Sequence, residues 1–158
     1  MNFTFMHPIC LIIIFLIKIP YGYSSEQPHK PLIYMGSNTC KNCHQKEYMA
    51  FTTNAKKSKS FQSIEKMSKG LSITDLKKCY TCHTTGYGKP GGFIDPEKTP
   101  HLKNAGCEVC HGPGSLHCET GDPSHIKGDL STNDCKSCHT SDRVKAFRYR
   151  PLVHGGGH

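Results

Sequence analysis

The sequence contains the pattern Cys-x-x-Cys-His four times, and no other feature constrains the chain as strongly. The cysteine pairs are Cys40 and Cys43, Cys79 and Cys82, Cys107 and Cys110, and Cys135 and Cys138, and the histidines that follow them are His44, His83, His111 and His139. On one helical turn, residues at i, i+3 and i+4 share a face, so two sulfurs can reach two haem vinyl groups while the imidazole lies under the iron. The spacing therefore predicts four c-type haem attachment sites, each with two haem-binding cysteines and one axial histidine.

Zinc binding and dithiol chemistry are the alternatives to haem attachment. A single Cys-x-x-Cys pair more often forms half of a zinc site or a redox-active disulfide. Zinc sites combine two such pairs, however, and tetrahedral zinc does not require a histidine directly after each second cysteine. Because all four copies carry that histidine, the sequence favours four covalently attached haem c groups.

The N-terminal segment is predicted to be an export signal. Residues 9–17 form an apolar run that is shorter than the ~18 residues needed to span a bilayer, and small residues before Ser25 allow cleavage there. No lysine or arginine precedes the run, so an uncleaved N-terminal anchor helix is the alternative. We expect a signal peptide at residues 1–24, one tetrahaem domain at residues 25–158, and a periplasmic or otherwise exported location, which suits haem attachment to thiols.

The length and composition of the mature chain leave little material for a protein core. Roughly 134 residues would serve four haems, and the sequence has no tryptophan but 15 glycines and 10 prolines. We therefore expect a mainly α fold with extensive loops, whose core is formed by stacked haems. One clear amphipathic helix is predicted from apolar residues at helical spacing, which are Phe61, Ile64, Met67 and Leu71. Glycine-rich turns are expected at residues 86–92 and 112–114.

The chain is basic, with a formal net charge of +8 at pH 7. Each haem adds two propionates, so the assembled protein should be closer to neutral. Basic residues are not interleaved with base-stacking aromatic residues, which argues against a nucleic-acid partner. The positive charge instead predicts local patches that steer an acidic redox protein.

Three stretches next to the motifs resemble the tetrahaem cytochrome c-554 family. They are Tyr34-x-Gly36, the run from Thr84 to Gly88 followed by Gly91-Gly92-Phe93, and Gly112-Pro113-Gly114-Ser115 followed by His117. The resemblance covers roughly residues 34–139 and implies a helical, loop-rich fold with haems in close stacked pairs. It also implies a hydroxylamine oxidoreductase-like electron donor and a quinone- or cytochrome-type acceptor.

The same resemblance implies a set of distal iron ligands. His117 would pair with His44 on the first haem, and His125 would cap the fourth haem. The second haem would keep only its proximal ligand, His83. These assignments come from the family pattern and not from the spacing of the motifs.

The third haem departs from the family pattern. Family members place a capping histidine at the position that corresponds to Lys57 in this sequence. A lysine amine can bind iron, but it must first lose a proton that is normally held until pH ~10.4. The alternatives are an open or water-ligated iron, or a cap supplied by His101 or Met67.

Cys118 lies outside the four motifs and has no thiol partner in the mature chain, because the other eight cysteines bind haem. A free or partly oxidised thiol is the simplest interpretation. An intermolecular disulfide and a thiolate near the first haem are the alternatives.

These features predict an electron carrier. An iron held by two imidazoles is coordinatively saturated and binds substrate poorly, and no acid–base or nucleophilic constellation is evident apart from the haem sites. The alternative is a small haem enzyme that reduces or oxidises a nitrogen species such as nitric oxide at a five-coordinate haem. That activity would need an open iron at the second or third haem.

Overall fold

A computed structural model of the protein describes residues 30–140, so the predicted signal peptide lies outside the described residues. Within this range the chain forms α-helices and 3-10 turns joined by long loops, and it contains no β-strand. The α-helices are α1 (Ser37–Cys40), α2 (Gln45–Asn54), α3 (Phe61–Met67), α4 (Ile73–His83), α5 (Glu108–His111), α6 (Ser115–Thr120) and α7 (Thr132–Lys136). The 3-10 turns are Lys56–Lys59, Ser68–Gly70, Pro100–Leu102 and Pro123–His125. The predicted fold class, mainly α with extensive loops, is confirmed.

Two helices that carry haem motifs have strong N-terminal caps. The Ser72 hydroxyl oxygen accepts a hydrogen bond from the Asp75 backbone N–H at 3.2 Å, which fixes the start of α4. At α7, Ser131 and Asp134 form a reciprocal capping box. Capping places both cysteines of the second motif, and Cys135 of the fourth, on helices with a defined first turn.

The predicted amphipathic helix is real but shorter than its sequence pattern. Phe61 and Ile64 lie on α3 and are buried, whereas Met67, the last residue of α3, is 61% exposed. The chain then enters the 3-10 turn that ends at Gly70, so Leu71 falls outside the helix. Serine and glycine are weak helix formers, and they end the helix before its apolar stripe is complete.

A small apolar cluster lies beside the second haem motif. Its buried members are Phe61, Ile64, Phe93 and Leu102, and partly buried residues that include Cys79 and Tyr80 pack against it. The Tyr80 and Phe93 rings meet edge to face, with centroids 5.1 Å apart. This cluster fixes α3 against α4, so the first residue of the second motif rests on a protein core.

The glycine-rich turn after the second motif packs closely against the segment that leads into the first. Gly86 and Gly91 have φ values of 71° and 67°, and a Cβ atom would lie 2.7 Å from the Tyr34 ring at Gly86 and 2.6 Å from Ile33 at Gly91. Only glycine combines this backbone conformation with such a close approach. The predicted turn is confirmed, and it brings the first and second motifs together.

Buried hydroxyl groups connect the second motif to the segment before the third. The Thr85 hydroxyl donates to the Asn104 carbonyl at 2.6 Å and accepts from the Gly106 N–H at 2.9 Å. The Ser60 hydroxyl likewise donates to the His83 carbonyl at 2.9 Å and accepts from the Ala105 N–H at 2.9 Å. Motifs that are far apart in the sequence are thus held side by side.

Candidate haem-binding sites

All four motifs adopt a helical turn. In the first, third and fourth motifs, the backbone N–H of the histidine donates to the backbone carbonyl of the first cysteine, at 2.9, 3.2 and 2.9 Å respectively. The second motif lies entirely within α4. None of the nine cysteines in the described residues forms a disulfide. The chain therefore presents two thiols and one imidazole from a single turn at each motif, which is the arrangement that covalent haem attachment requires.

Several imidazole rings are held in the tautomer that binds a metal. Nδ1 of His83 lies 2.8 Å from the Ser60 carbonyl oxygen. Nδ1 of His111 lies 2.6 Å from that of Lys127. A carbonyl oxygen can only accept a hydrogen bond, so each Nδ1 carries the proton and each Nε2 keeps a lone pair for iron. These residues fit the role of proximal haem ligands.

The two candidate distal histidines are oriented in the same way. Nδ1 of His117 lies 2.8 Å from the Asp122 carbonyl oxygen. Nδ1 of His125 lies 2.8 Å from the Thr120 hydroxyl, which donates its own proton to the Leu116 carbonyl at 2.9 Å. That hydroxyl must therefore accept from His125, so Nε2 of both histidines is available for coordination.

His44 and His117 face each other at the separation expected of two ligands to one iron. Their ring centroids are 6.1 Å apart and the rings are inclined by 30°. Two metal–nitrogen bonds of about 2 Å, together with the radii of the two rings, give a similar centroid separation. The separation of His44 and His117 is therefore compatible with coordination of one iron by both imidazoles.

The third and fourth motifs share one cleft of about 480 Å³. Its lining includes these motif residues: Cys110, His111, Cys135, Cys138 and His139. Cys82 of the second motif also reaches it. The volume lies within the range of about 300–1,000 Å³ that is usual for cofactor sites, so the cleft suits haem binding.

Lys57 lies in this cleft, whereas the other two alternatives for the third haem do not. Its Nζ is 3.9 Å from Sγ of Cys110 and 5.5 Å from the centroid of the Phe51 ring. Met67 is largely exposed, and His101 lines a separate pocket of about 190 Å³. Of the three side chains considered for this position, the structure brings Lys57 to the third motif.

The charge of Lys57 also reaches the fourth motif. The pKa of His139 is lowered, first by burial and then by the positive charge of Lys57. Both effects favour the neutral imidazole, which is the form that binds iron.

His125 is not among the residues that line this cleft. It lies on the 3-10 turn after α6 and contacts Thr120. Its assignment to the fourth haem therefore stays a prediction from the family pattern.

The first and third motifs touch through their cysteines. The Cys40 and Cys107 side chains hydrogen-bond to each other, which raises the pKa of Cys40 and lowers the pKa of Cys107 in the thiol form of the chain. Cys118 lies on α6 and is exposed, and its pKa is raised by partial burial and then by the charges of Glu108 and Cys43. Each of the four motifs thus contacts another motif or the shared cleft.

An ion pair connects the third motif to the fourth. Lys127, whose carbonyl accepts from His111, bonds through its ammonium to the Asp134 carboxylate at the start of α7. This contact and the capping bonds from Ser131 lower the pKa of Asp134 to about 2. The ion pair therefore positions α7 relative to the rest of the chain.

The spacing of the motifs gave no indication of Glu108, the second residue of the third motif. It is only 2% exposed, and its carboxylate accepts hydrogen bonds from backbone N–H groups on two different segments. Burial is what distinguishes this acid from the other carboxylates, and burial cannot be read from the sequence.

Comparison with known proteins gives one family. The family model described as "Cytochrome c554 and c-prime" matches residues 39–112, which contain the first three motifs. A cytochrome c-554 of Nitrosomonas europaea is 33% identical over 91 residues, which is 51% of this chain and 39% of that protein. The matched region thus spans about two fifths of the curated relative. The structure of cytochrome c554 from Nitrosomonas europaea in its reduced state superposes with a TM-score of 0.57 at 20% identity, covering 80% of this chain and 84% of the other.

The helical fold and the four Cys-x-x-Cys-His turns define a multihaem c-type cytochrome. Through the matched residues 39–112, the chain is similar to the cytochrome c554 family. The thiols and oriented imidazoles of this structure fit four covalently attached haem c groups. Zinc binding is therefore rejected as the interpretation of the motifs.

Proposed function

We propose that this protein is an electron carrier, exported beyond the cytoplasmic membrane, that exchanges electrons with other redox proteins. The observation that carries this proposal is the opposed pair of His44 and His117, with ring centroids 6.1 Å apart. Two imidazoles saturate an iron and leave no position for a substrate. A site of this kind is suited to electron exchange and not to chemistry on a bound molecule.

The contacts between motifs support the same proposal. Cys40 touches Cys107, and the cleft of the third and fourth motifs also includes Cys82. Bound haem supplies reversible one-electron redox chemistry, while the chain orients the imidazoles and keeps the attachment sites adjacent. Adjacent attachment sites are what a protein needs to accept an electron at one surface and release it at another.

The charge distribution suggests the chemistry of the partner. Exposed lysines surround α3, and they are Lys56, Lys59, Lys66 and Lys69. Such a cluster attracts an acidic surface and accelerates association. We propose a hydroxylamine oxidoreductase-like donor and a quinone- or cytochrome-type acceptor, which follows from the family resemblance together with this charge.

The location of the protein belongs to the same proposal. An export signal at residues 1–24 and a domain at residues 25–158 would place the protein in the periplasm, where haem is attached to thiols. Within the described residues, no helix is both long enough and apolar enough to cross a membrane.

Spectroscopy and redox titration of the purified holoprotein test the proposal. We expect four electrons to be taken up reversibly per molecule and an iron to remain low-spin at the first haem, with no carbon monoxide binding there. We also expect no sustained consumption of nitric oxide or hydroxylamine when a chemical electron donor or acceptor is supplied. Multiple turnovers of either compound would overturn the proposal and favour the haem enzyme.

A further inference from the structure

Glu108 is a buried carboxylate with an unusual set of partners. Its side chain accepts hydrogen bonds from the Met35 N–H at 2.9 and 3.0 Å to its two oxygens, from the Gly36 N–H at 2.7 Å and from the Gly114 N–H at 2.8 Å. None of the ion pairs among the described residues includes it. Backbone N–H groups alone therefore satisfy this buried acid.

The contacts use both oxygens of Glu108 as acceptors. Oε2 accepts from Met35 and Gly36, and Oε1 accepts from Met35 and Gly114. A glutamine has the same shape, but its amide nitrogen would face N–H groups that also need an acceptor. At least one backbone N–H would then be buried without a partner, which is costly.

The segments that Glu108 joins are the two that supply the ligands of the first haem. Met35 and Gly36 directly precede α1, which leads through Cys40 to His44. Gly114 is the residue before α6, which carries His117. The absence of a side chain at Gly114 permits this contact, since a Cβ atom there would lie only 3.1 Å from Oε1 of Glu108.

Neutral hydrogen bonds connect the same two segments. The Ser115 N–H donates to the Ile33 carbonyl at 3.3 Å, and the Ile33 N–H donates to the Ser115 hydroxyl at 3.0 Å. These bonds are exposed, whereas those of Glu108 are buried or partly buried. Hydrogen bonds to a charged group are about twice as strong as neutral ones, so the carboxylate is the dominant connection.

We infer that Glu108 is a positioning residue for the first haem, because it fixes the segments of His44 and His117 at the separation that iron requires. It acts from within the third motif, between Cys107 and Cys110, whose haem attachment holds α5 on both sides of it. The attachment of the third haem therefore stabilises the ligand pair of the first. This inference rests on the proposed pairing of His44 and His117.

The test compares Glu108→Gln with Glu119→Gln in the purified holoprotein. Each substitution removes one negative charge. Glu119, however, is exposed on α6, and its carboxylate pairs only weakly with Lys30, at 3.4 Å. For Glu108→Gln we expect all four haems by mass, one haem equivalent converted from low to high spin, and carbon monoxide binding at that haem. Added imidazole should return it to low spin by occupying the vacated position. Glu119→Gln should leave the spin states unchanged.

A double variant identifies the affected haem. In a His117→Ala background the first haem has already lost its distal ligand, so Glu108→Gln should produce no further high-spin haem. One more high-spin haem in the double variant than in His117→Ala alone would show that Glu108 acts elsewhere and would overturn the inference.

The remaining outcomes are also decisive. If Glu108→Gln keeps the wild-type count of high-spin haems while His117→Ala does not, the ligand pair is correct and the positioning role is wrong. If His117→Ala itself changes nothing, the ligand pairing proposed above fails first. Loss of any haem in Glu108→Gln would indicate a general folding role and would count against the inference.

Discussion

At the residue scale, backbone carbonyls determine which ring nitrogen of three candidate ligands is left for a metal. The carbonyl groups of Ser60, Lys127 and Asp122 hold Nδ1 of His83, His111 and His117. The proximal histidines were predictable, because they occupy a fixed place in a short motif. The carbonyl partners were not, because they are 23, 16 and 5 residues away and their approach depends on the fold.

The distal ligands can be tested by substitution. His117→Ala should convert one haem equivalent from low to high spin, since loss of a strong-field imidazole weakens the ligand field and opens the iron. His125→Ala should do the same at a different haem, so the double variant should have two more high-spin haems than the wild type. Electron paramagnetic resonance of the ferric proteins measures the count. Glu119→Ala is the control, because Glu119 lies on the same helix as His117. An unchanged count of high-spin haems in either single histidine variant would remove that ligand assignment.

Lys57 gives a prediction in which pH decides between two states of the third haem. A coordinating amine must be unprotonated, so acidification should protonate it and release the iron in a reversible change from low to high spin. In Lys57→Ala, the haem that shows this change in the wild type should be high-spin at every pH. Absorption spectra recorded across a pH titration provide the measurement.

Lys56→Ala and Lys59→Ala are matched controls, because both residues are exposed on the same 3-10 turn. If Lys57→Ala resembles these controls, Lys57 is not a ligand. Carbon monoxide binding at two haems of the wild type would then point to an open third haem.

At the scale of elements, helix lengths were the hardest feature to predict. The apolar spacing over residues 61–71 correctly indicated a helix, but the helix ends at Met67 because a 3-10 turn follows. Helices α2 and α4, with 10 and 11 residues, were not identified, since α2 buries only Phe51 and α4 buries no residue fully. In a protein whose helices pack on cofactors, the pattern of apolar residues is a weak guide to helix boundaries.

The ion pair at the start of α7 predicts an acid-sensitive element. The pKa of Asp134 is lowered to about 2, chiefly by Lys127, so its folded form holds the proton less tightly than the unfolded chain, where the value is about 3.9. The stabilisation is therefore complete above pH ~4 and is lost as the pH falls towards 2. In Asp134→Asn, thermal unfolding should occur at lower temperature at neutral pH and should change less between pH 4 and 2.

Asp129→Asn is the control for that measurement, since Asp129 is a nearby exposed aspartate that takes part in none of the ion pairs among residues 30–140. An identical pH dependence in wild type and Asp134→Asn would show that the Lys127 contact does not stabilise α7.

At the scale of the whole molecule, four haems would supply apolar surface that side chains supply in the core of other proteins. The hydrophobic residues that are buried within the described chain are few: Phe51, Ala55, Phe61, Ile64, Phe93, Leu102 and Ala105. The sequence correctly predicted a thin protein core, because it combines four motifs with few aromatic residues. The cluster beside the second motif was not foreseen, because Phe93 comes from a loop and Leu102 from a short 3-10 turn, and neither belongs to a periodic apolar pattern.

The intact mass of the mature protein tests the complete set of sites. We expect the polypeptide beginning near Ser25 plus four haems, because each motif presents two thiols and one histidine from a single turn. Replacing Cys135 and Cys138 by serine should reduce the increment by one haem, whereas Cys118→Ser should leave four. An increment of three or fewer in fully matured wild-type protein would contradict the assignment.

The contact between Cys40 and Cys107 has a consequence for biogenesis. These thiols belong to different motifs, yet they hydrogen-bond to each other in the folded arrangement. In an oxidising compartment, two neighbouring thiols can be oxidised to a disulfide, which would block both motifs at once. Attachment of the first or third haem before the chain closes up, or a reductant that keeps both thiols reduced, would prevent that crosslink.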